Sequence, residues 1–487
     1  MVLVVWDGLR PDCINEQDTP ALAGLARQGV FFQAHHAVYL SSTEVNATAL
    51  ATGDYPVHNG ILGNYEYRPD IDPLRHVEVD SAYAVRKGDA LTGGHYLPVP
   101  TLLELVRASG GDAVVVGNKP VPRLFDRNDP SGNGHDCASL MATLPAHAVQ
   151  RIAQAHPGGS DNDTPQGHLD TMAARALVDG LWDTRVPKLS VLWLSEPDIT
   201  EHQAGPGSAA ARKALRNSDR NLALVLSALS DRGLRDKTDV LVVSDHGFST
   251  ISRTAPVVEA LRNAGFPAFS EFPGPPAPGQ IIVVNEGGSV LVYVIGHSDA
   301  TVRALAAFFE QQDFAGVIFT RQAMPGTFTF DQARINTAHA PDLVVSMKWS
   351  PEPNATGLPG LLVTDGGGGI VVRGGAHGSL SRFEMRNTLV AAGPDFLVNA
   401  VDNLPTGNAD VAPTVLAVLG VRAPQAMDGR VLTEAMTGAK DSPAPPQTRT
   451  LEAAADNGKS AWRQSLRLTE YAGAFYLDEG NGAVTGK

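Results

Sequence analysis

Four places along this chain set a carboxylate or an imidazole directly after a short apolar run. Asp7 follows Val2–Trp6, and Asp198 and His202 follow Leu189–Leu194 inside Glu196-Pro-Asp-Ile-Thr-Glu-His202. Asp245-His246-Gly247 follows 239–243, and His377 follows 370–372 inside Gly374-Gly-Ala-His-Gly378. Imidazole mixed with carboxylate suits zinc or a similar transition metal, because magnesium and calcium prefer oxygen-only sites. The inventory is large enough for two such ions. Asp198 and His202 are four apart, on one side of a helical turn. Asp245 and His246 would diverge in a regular strand, yet both can reach an ion from a strand-end turn. Each fragment alone is weak: an isolated Asp-Gly such as Asp7-Gly8 is usually just a turn, and a lone Asp-x-x-x-His mostly a solvated helix face. Their joint placement at strand ends is what carries the reading.

The elements that must position these groups are legible as short uncharged runs. They are Val2–Trp6, 113–116, Leu189–Leu194, 239–243, 281–284, 290–295, 343–346, 370–372 and 388–391. Such runs read as strands buried on both faces of a parallel sheet. Helical patterns lie between them at Pro20–Gln28, 101–108, 209–230 and 256–264. Alternating strands and helices predict an α/β/α sandwich with a central, mostly parallel sheet. Ligands of such sheets bind at the carboxyl ends of the strands, where these side chains converge. Residues 1–440 are expected as one catalytic domain. Within it, 65–97 and about 255–369 are insertions bordering the site as loops or a small cap, and 65–97, 272–279 and 351–369 carry little regular signal. Residues 441–487 are expected as a C-terminal extension, a hairpin or helix packed on the core.

Composition narrows the function. The 487 residues are 43% hydrophobic and 18% charged, an ordinary globular balance with room for a large core. A net charge of -14 argues against general affinity for nucleic acid polymers, so an anionic small substrate needs local positive charge that bound cations can supply. The two cysteines, Cys13 and Cys137, give no disulfide framework or thiolate site, although they could form one bridge. No apolar run reaches the roughly 18 residues of a membrane span. Met1 leads straight into a core strand with no secretory segment before it. The expectation is an exported protein, periplasmic or extracellular, whose signal has been removed; a cytoplasmic one is the alternative.

Further blocks surround these groups: Thr43-Glu-Val-Asn46 through Thr52-Gly53-Asp-Tyr55-Pro56, Gly60-Ile61-Leu-Gly-Asn64 and Pro100-Thr101-Leu-Leu-Glu104. Gly205-Pro206, Ser244-Asp-His-Gly247 and Asn408-Ala-Asp410-Val-Ala-Pro413-Thr414 follow. In this order the chain resembles the alkaline phosphatase superfamily, in its type I phosphodiesterase/nucleotide pyrophosphatase branch, from Leu3 to about Leu432. The resemblance implies one ion on Asp198, His202 and His377, and a second on Asp7, Asp245, His246 and the Thr43 oxygen. It implies that Thr43 is the nucleophile and forms a phosphothreonine that water then hydrolyses, and that Asn64 donates to a phosphoryl oxygen. A threonine hydroxyl is a weak nucleophile until a metal lowers its pKa, and two ions about 4 Å apart can stabilise both attacking and leaving oxygens. Ser41 and Ser42 are rival hydroxyls, but the spacing of Thr43 to Asn46 and to Thr52-Gly53 matches the family pattern. One of the three is expected to cap the helix.

Departures bear on the substrate. Nucleotide pyrophosphatases of the family carry an aromatic residue after the nucleophile, and here that position is Glu44. Lys119, after 113–116, is similar in place to a lysine of phosphate-irrepressible alkaline phosphatases and phosphonoacetate hydrolases. It could pair with the second charge of a monoester or phosphonate, or be a solvated loop lysine; Arg123 is a weaker candidate of that kind. The readings are therefore a phosphodiesterase, then a phosphatase or phosphonate hydrolase using Lys119, and remotely a non-catalytic metal binder. His95 and His135 lie in Gly-rich loops that could border the pocket. Neither cysteine sits in the Cys/Ser-x-Pro-x-Arg motif of a sulfatase, and Thr43 with Tyr55-Pro56 counts against a phosphoglycerate mutase.

Overall fold

The computed structural model describes residues 1–127, 141–142, 164–366, 371–438, 445–456, 458 and 460–486. Cys137 and His135 therefore lie outside the described residues. The eight-stranded central sheet runs in the order Ala400–Gly407, Val30–His36, Leu389–Ala392, Val240–Val243, Val2–Trp6, Leu189–Leu194, Ala113–Gly117, Met141–Ala142. Only Leu389–Ala392 and Met141–Ala142 run against the others. The apolar runs are unbroken because both faces are covered. Leu3, Val5, Val191, Trp193, Leu241 and Val243 face one layer with Leu50, Leu102 and Val415. Val2, Val4, Trp6, Leu192, Leu194 and Val242 face the other with Leu22, Leu215 and Leu222. This is the α/β/α sandwich read from the strand pattern.

Register then delivers the chemistry to one edge. Trp6 pairs with Leu194 and Val5 with Val243, so three central strands finish level and their next residues emerge together. Ser249–Ala255 leaves that edge into a four-stranded sheet with Trp349–Pro353, Pro359–Asp365 and Gly375–Ala376. Gly375 pairs with Thr250 and Ala376 with Ser249, which sets His377 beside the 245–248 turn.

Residues 255–369 hold more than loops. A six-stranded sheet runs Ala268–Phe269, Ile281–Asn285, Ser289–Val294, Leu343–Met347, Ala315–Thr320, Phe328–Thr329. Pro359–Asp365 is a strand where little signal was legible, and 65–97 contains the helix Ala82–Thr92, capped by the Ser81 hydroxyl. The expected strand at 370–372 is not one: Ile370 lies outside the described residues, and Val371 and Val372 are exposed in a turn. Their β-branched side chains imitate a strand without a layer to bury them.

The last segment is a three-stranded antiparallel sheet, Gln447–Asp456, Ser460–Tyr471 and Ala474–Gly486. It packs on the six-stranded sheet, where the Gln464 amide exchanges hydrogen bonds with the Ile318 backbone at 2.7 and 3.1 Å. No helix among the described residues is long and apolar enough to cross a membrane.

Candidate metal centre

Asp7 follows the first strand at a turn that favours glycine next. Gly8 has φ +77°, and a Cβ there would press on Phe248 and the Asp198 backbone. Asp198 opens the helix Asp198–Ala204, its N–H donating to the Asp7 carbonyl at 3.1 Å, and His202 sits one turn later. Asp245 and His246 occupy the connection from Val240–Val243 to Ser249–Ala255. Thr43 is the first residue of the buried helix Thr43–Thr52. Its entry is stapled by Asn46, whose amide donates to the carbonyls of Val38, Leu40 and Ser42.

Two clusters result. Asp198, His202 and His377 offer ligand atoms within 4.8 Å of one another, and so do Asp7, Asp245 and His246. In the first, Asp198 Oδ1 lies 3.2 Å from His202 Nε2 and 3.4 Å from His377 Nε2. In the second, His246 Nε2 lies 3.3 Å from Asp245 Oδ2, 3.6 Å from Asp7 Oδ1 and 3.2 Å from Thr43 Oγ1. The His246 and His377 rings stack at 3.6 Å, joining the clusters.

The surroundings settle which atoms face inward. The Nδ1 atoms of His202, His246 and His377 donate to the carbonyls of Gly375, Gly247 and Ser41, at 3.0, 2.9 and 2.9 Å. A carbonyl can only accept, so each ring is protonated there and turns Nε2 into the site. The aspartates are divided in the same way. Asp245 Oδ1 accepts the N–H groups of Gly8 and His246, and Asp7 Oδ2 accepts Trp193 Nε1 and Lys119 Nζ. The other oxygens, Asp7 Oδ1, Asp245 Oδ2 and Asp198 Oδ1, are buried without a hydrogen-bond partner. Orphaned carboxylate oxygens beside converging Nε2 atoms make both groups candidate metal sites.

Electrostatics agree. Burial, with the charges of Asp198 and Asp245, holds the Asp7 carboxyl well above its usual range, and burial lifts Asp245 to about 7. Burial also lowers His377 to about 3 and His246 to about 4, so both stay neutral and able to ligate.

Of the three hydroxyls, Thr43 Oγ1 is the one that meets the cluster. Ser41 Oγ donates to the Ser379 carbonyl and accepts the Gly378 N–H, bracing the His377 loop. Ser42 is the N-cap residue, yet its side chain makes no cap bond. Lys119 is not a solvated loop lysine: Nζ is 2.7 Å from Asp7 Oδ2 and 2.7 Å from Asp198 Oδ2, bridging the clusters. Three buried carboxylates at one strand edge draw the nearest cation inward. The Asn64 Oδ1 accepts the Glu44 N–H at 3.1 Å, and Asn64 lines a cleft of about 760 Å³ with His202, His377, Tyr65, His76, Glu286 and Arg262. Glu44 is buried, and burial together with Asp80 raises its carboxyl well above the usual range. His95 is exposed and outside the cleft lining.

The braces had no local signal in the sequence. Ser41 and Trp193 contact the site across long stretches of chain, and the Phe248 ring packs at 5.0 to 6.0 Å against His202, His246 and His377. Ser41 was visible only as a rival hydroxyl, and Phe248 could have been singled out from the motif Asp245-His-Gly-Phe.

Residues 1–367 match the type I phosphodiesterase / nucleotide pyrophosphatase family, and the chain belongs to it. It is 26% identical over 259 residues to venom phosphodiesterase CdcPDE of Crotalus durissus collilineatus, covering 52% of this chain and 26% of that protein. It is 24% identical over 261 residues to human ectonucleotide pyrophosphatase/phosphodiesterase family member 7, covering 52% of this chain and 49% of that protein. The matches thus span between a quarter and half of these relatives' length. The fold is similar to murine ectonucleotide pyrophosphatase / phosphodiesterase 5, with a TM-score of 0.62 at 15% identity over 90% of this chain and 100% of that one. An inactive form of that murine protein is known in complex with AMP.

Proposed function

We propose that this chain hydrolyses a phosphodiester through a covalent phosphothreonine on Thr43. The observation that carries the reading is Thr43 Oγ1, 3.2 Å from His246 Nε2 at the first turn of a buried helix and beside two sets of orphaned ligands. Asp198, His202 and His377 would hold one zinc-type ion and Asp7, Asp245 and His246 the other. Such ions, when bound, supply Lewis acidity that lowers the hydroxyl pKa and offsets charge on the attacking and leaving oxygens.

The chain's own groups do the rest. Thr43 Oγ1, its proton lost to solvent, bonds to phosphorus as the opposite P–O bond breaks, and the leaving oxygen takes a proton from water. The helix N-terminus favours the anion there. Asn64, its amide oriented by the Glu44 N–H, turns Nδ2 towards a non-bridging oxygen. Water then attacks from the vacated side, returning Thr43 to its hydroxyl form and releasing a phosphate monoester.

A diester is favoured over a monoester or phosphonate for an electrostatic reason. The lysine expected to meet the second charge is already shared by Asp7 and Asp198. The cleft beside His202 and His377 carries Glu259 and Asp365 against Arg262. An aryl, nucleotide or alkyl leaving group would lie along Tyr65, which meets His76 edge-on at 5.3 Å.

The test compares kcat/KM of the zinc-loaded protein on p-nitrophenyl phosphate, bis-p-nitrophenyl phosphate and p-nitrophenyl thymidine monophosphate, with Thr43→Ala alongside. Diester preference is expected, and Thr43→Ala is expected to abolish turnover with metal content intact. Substantial turnover in the variant would end the covalent mechanism, and monoester preference would end the diester reading.

A further inference from the structure

The hairpin joining Ile281–Asn285 to Ser289–Val294 belongs to the six-stranded sheet, yet its turn reaches the catalytic edge. Glu286 is its first residue. Its Oε2 accepts the Asn64 N–H at 2.8 Å and its Oε1 accepts the Tyr65 N–H at 2.8 Å. The carboxyl is buried, and the approach is so close that a Cβ on Gly63 would lie 2.8 Å from Glu286 Cδ. The same turn grips a second site loop. Gly288 N–H donates to the His377 carbonyl at 2.6 Å, and Ser289 Oγ donates to the Gly378 carbonyl at 2.6 Å.

We propose that Glu286 is a positioning residue for the transition state, fixing Asn64 so that its amide meets the phosphoryl oxygen. This rests on the reading of Asn64 as a phosphoryl donor given under Proposed function. A carboxylate that accepts two consecutive backbone N–H groups fixes the peptide between them in both position and tilt. The Asn64 carbonyl is held from the other side by the Val79 N–H at 3.0 Å, and its side-chain oxygen by the Glu44 N–H. Every polar group of Asn64 except Nδ2 is thereby committed, which aims that one donor. Burial lifts the Glu286 carboxyl to about 8, and the two N–H groups pull against that rise.

Glu286→Gln is nearly isosteric but turns an NH2 against one of the two N–H groups. A displacement on the order of 1 Å at a positioned group can cost about a hundredfold in rate. The expected result for Glu286→Gln on bis-p-nitrophenyl phosphate is about a tenfold loss in kcat with KM within about twofold and unchanged metal content. The deciding measurement is a cycle with Asn64→Ala. If Glu286 acts through Asn64, Glu286→Gln costs less than about twofold in the Asn64→Ala background.

Equal losses in both backgrounds, or no loss in the first, would overturn the proposal while leaving Asn64 as the donor. If Asn64→Ala itself costs nothing, the reading of Asn64 falls and takes this proposal with it. Amide hydrogen exchange on the wild-type chain gives a check independent of any variant's folding. The Asn64 and Tyr65 amides should exchange at least about a hundredfold more slowly than exposed turn amides, and exchange at the exposed rate would equally overturn the clamp.

Discussion

The two ligand clusters share residue types but not exposure. His202 in the outer cluster keeps 41% of its side chain exposed and lines the cleft with His377, whereas Asp7, Asp245 and His246 of the inner cluster are at 0%. The inner cluster is also the one that touches Thr43. On the function proposed above, burial divides the labour: the sealed cluster would set the nucleophile, and the open one would meet whatever enters the cleft. A ligand lost from the sealed cluster leaves a dry hole and uncompensated carboxylates, but water can take the place of a ligand lost from the open one.

The largest expected effect breaks the comparison at its sealed side. His246→Ala should lower kcat/KM by about a thousandfold or more, and excess zinc should not restore it, because the variant loses both a ligand and the neighbour of Thr43. His202→Ala should cost about ten- to a hundredfold and regain much of that with added zinc. Steady-state kinetics over a zinc titration measures both. Equal losses with equal rescue would mean that burial does not divide the clusters.

How far the sequence revealed this centre depends on the range of the contacts involved. Val2–Trp6 and Leu189–Leu194 were legible because each is apolar on both faces, and the side chains after them had to share an edge once the strands were parallel. His377 does join a candidate ligand cluster, but not from the strand expected to deliver it. The element that delivers it is the two-residue strand Gly375–Ala376, too short and too small in side chain to show as a pattern. Lys119 was found by its place after a strand, but its partners Asp7 and Asp198 are 112 and 79 residues away. The Ser41 contact to the His377 loop spans 338 residues and that of Glu286 to Asn64 spans 222. Such contacts leave no trace in local periodicity. The C-terminal sheet did leave one: buried Trp462, Gln464, Leu466 and Leu468 alternate with the less buried Arg463, Ser465 and Arg467, a period of two.

Metal removal sharpens the comparison without mutation. A dilute chelator should strip the protein in two phases, the first ion leaving at least about tenfold faster, since exchange at the sealed cluster requires local opening. Metal content against time reads this directly. The fast phase should be the one accelerated in His202→Ala. A single phase for both ions would show that the two clusters open together.

The smallest effect tests whether such differences belong to the clusters or to stability in general. Asp478, on the C-terminal sheet, pairs with His36 at 3.0 Å, far along the chain from every ligand. Burial works against its charge, but the His36, Thr469 and Arg467 side chains hold its carboxyl below the ordinary range. A depressed carboxyl contributes stability that is present above its unfolded value, near 3.8, and is lost as pH falls through the folded one. Asp478→Asn should therefore lower the melting temperature by about 1–2 °C at pH 6, with the gap closing below about pH 4. Its chelation phases should match those of the wild type, because the pair touches neither cluster. If they shift together with the melting temperature, the two-phase loss reports global opening, and the contrast between a sealed and an open cluster fails.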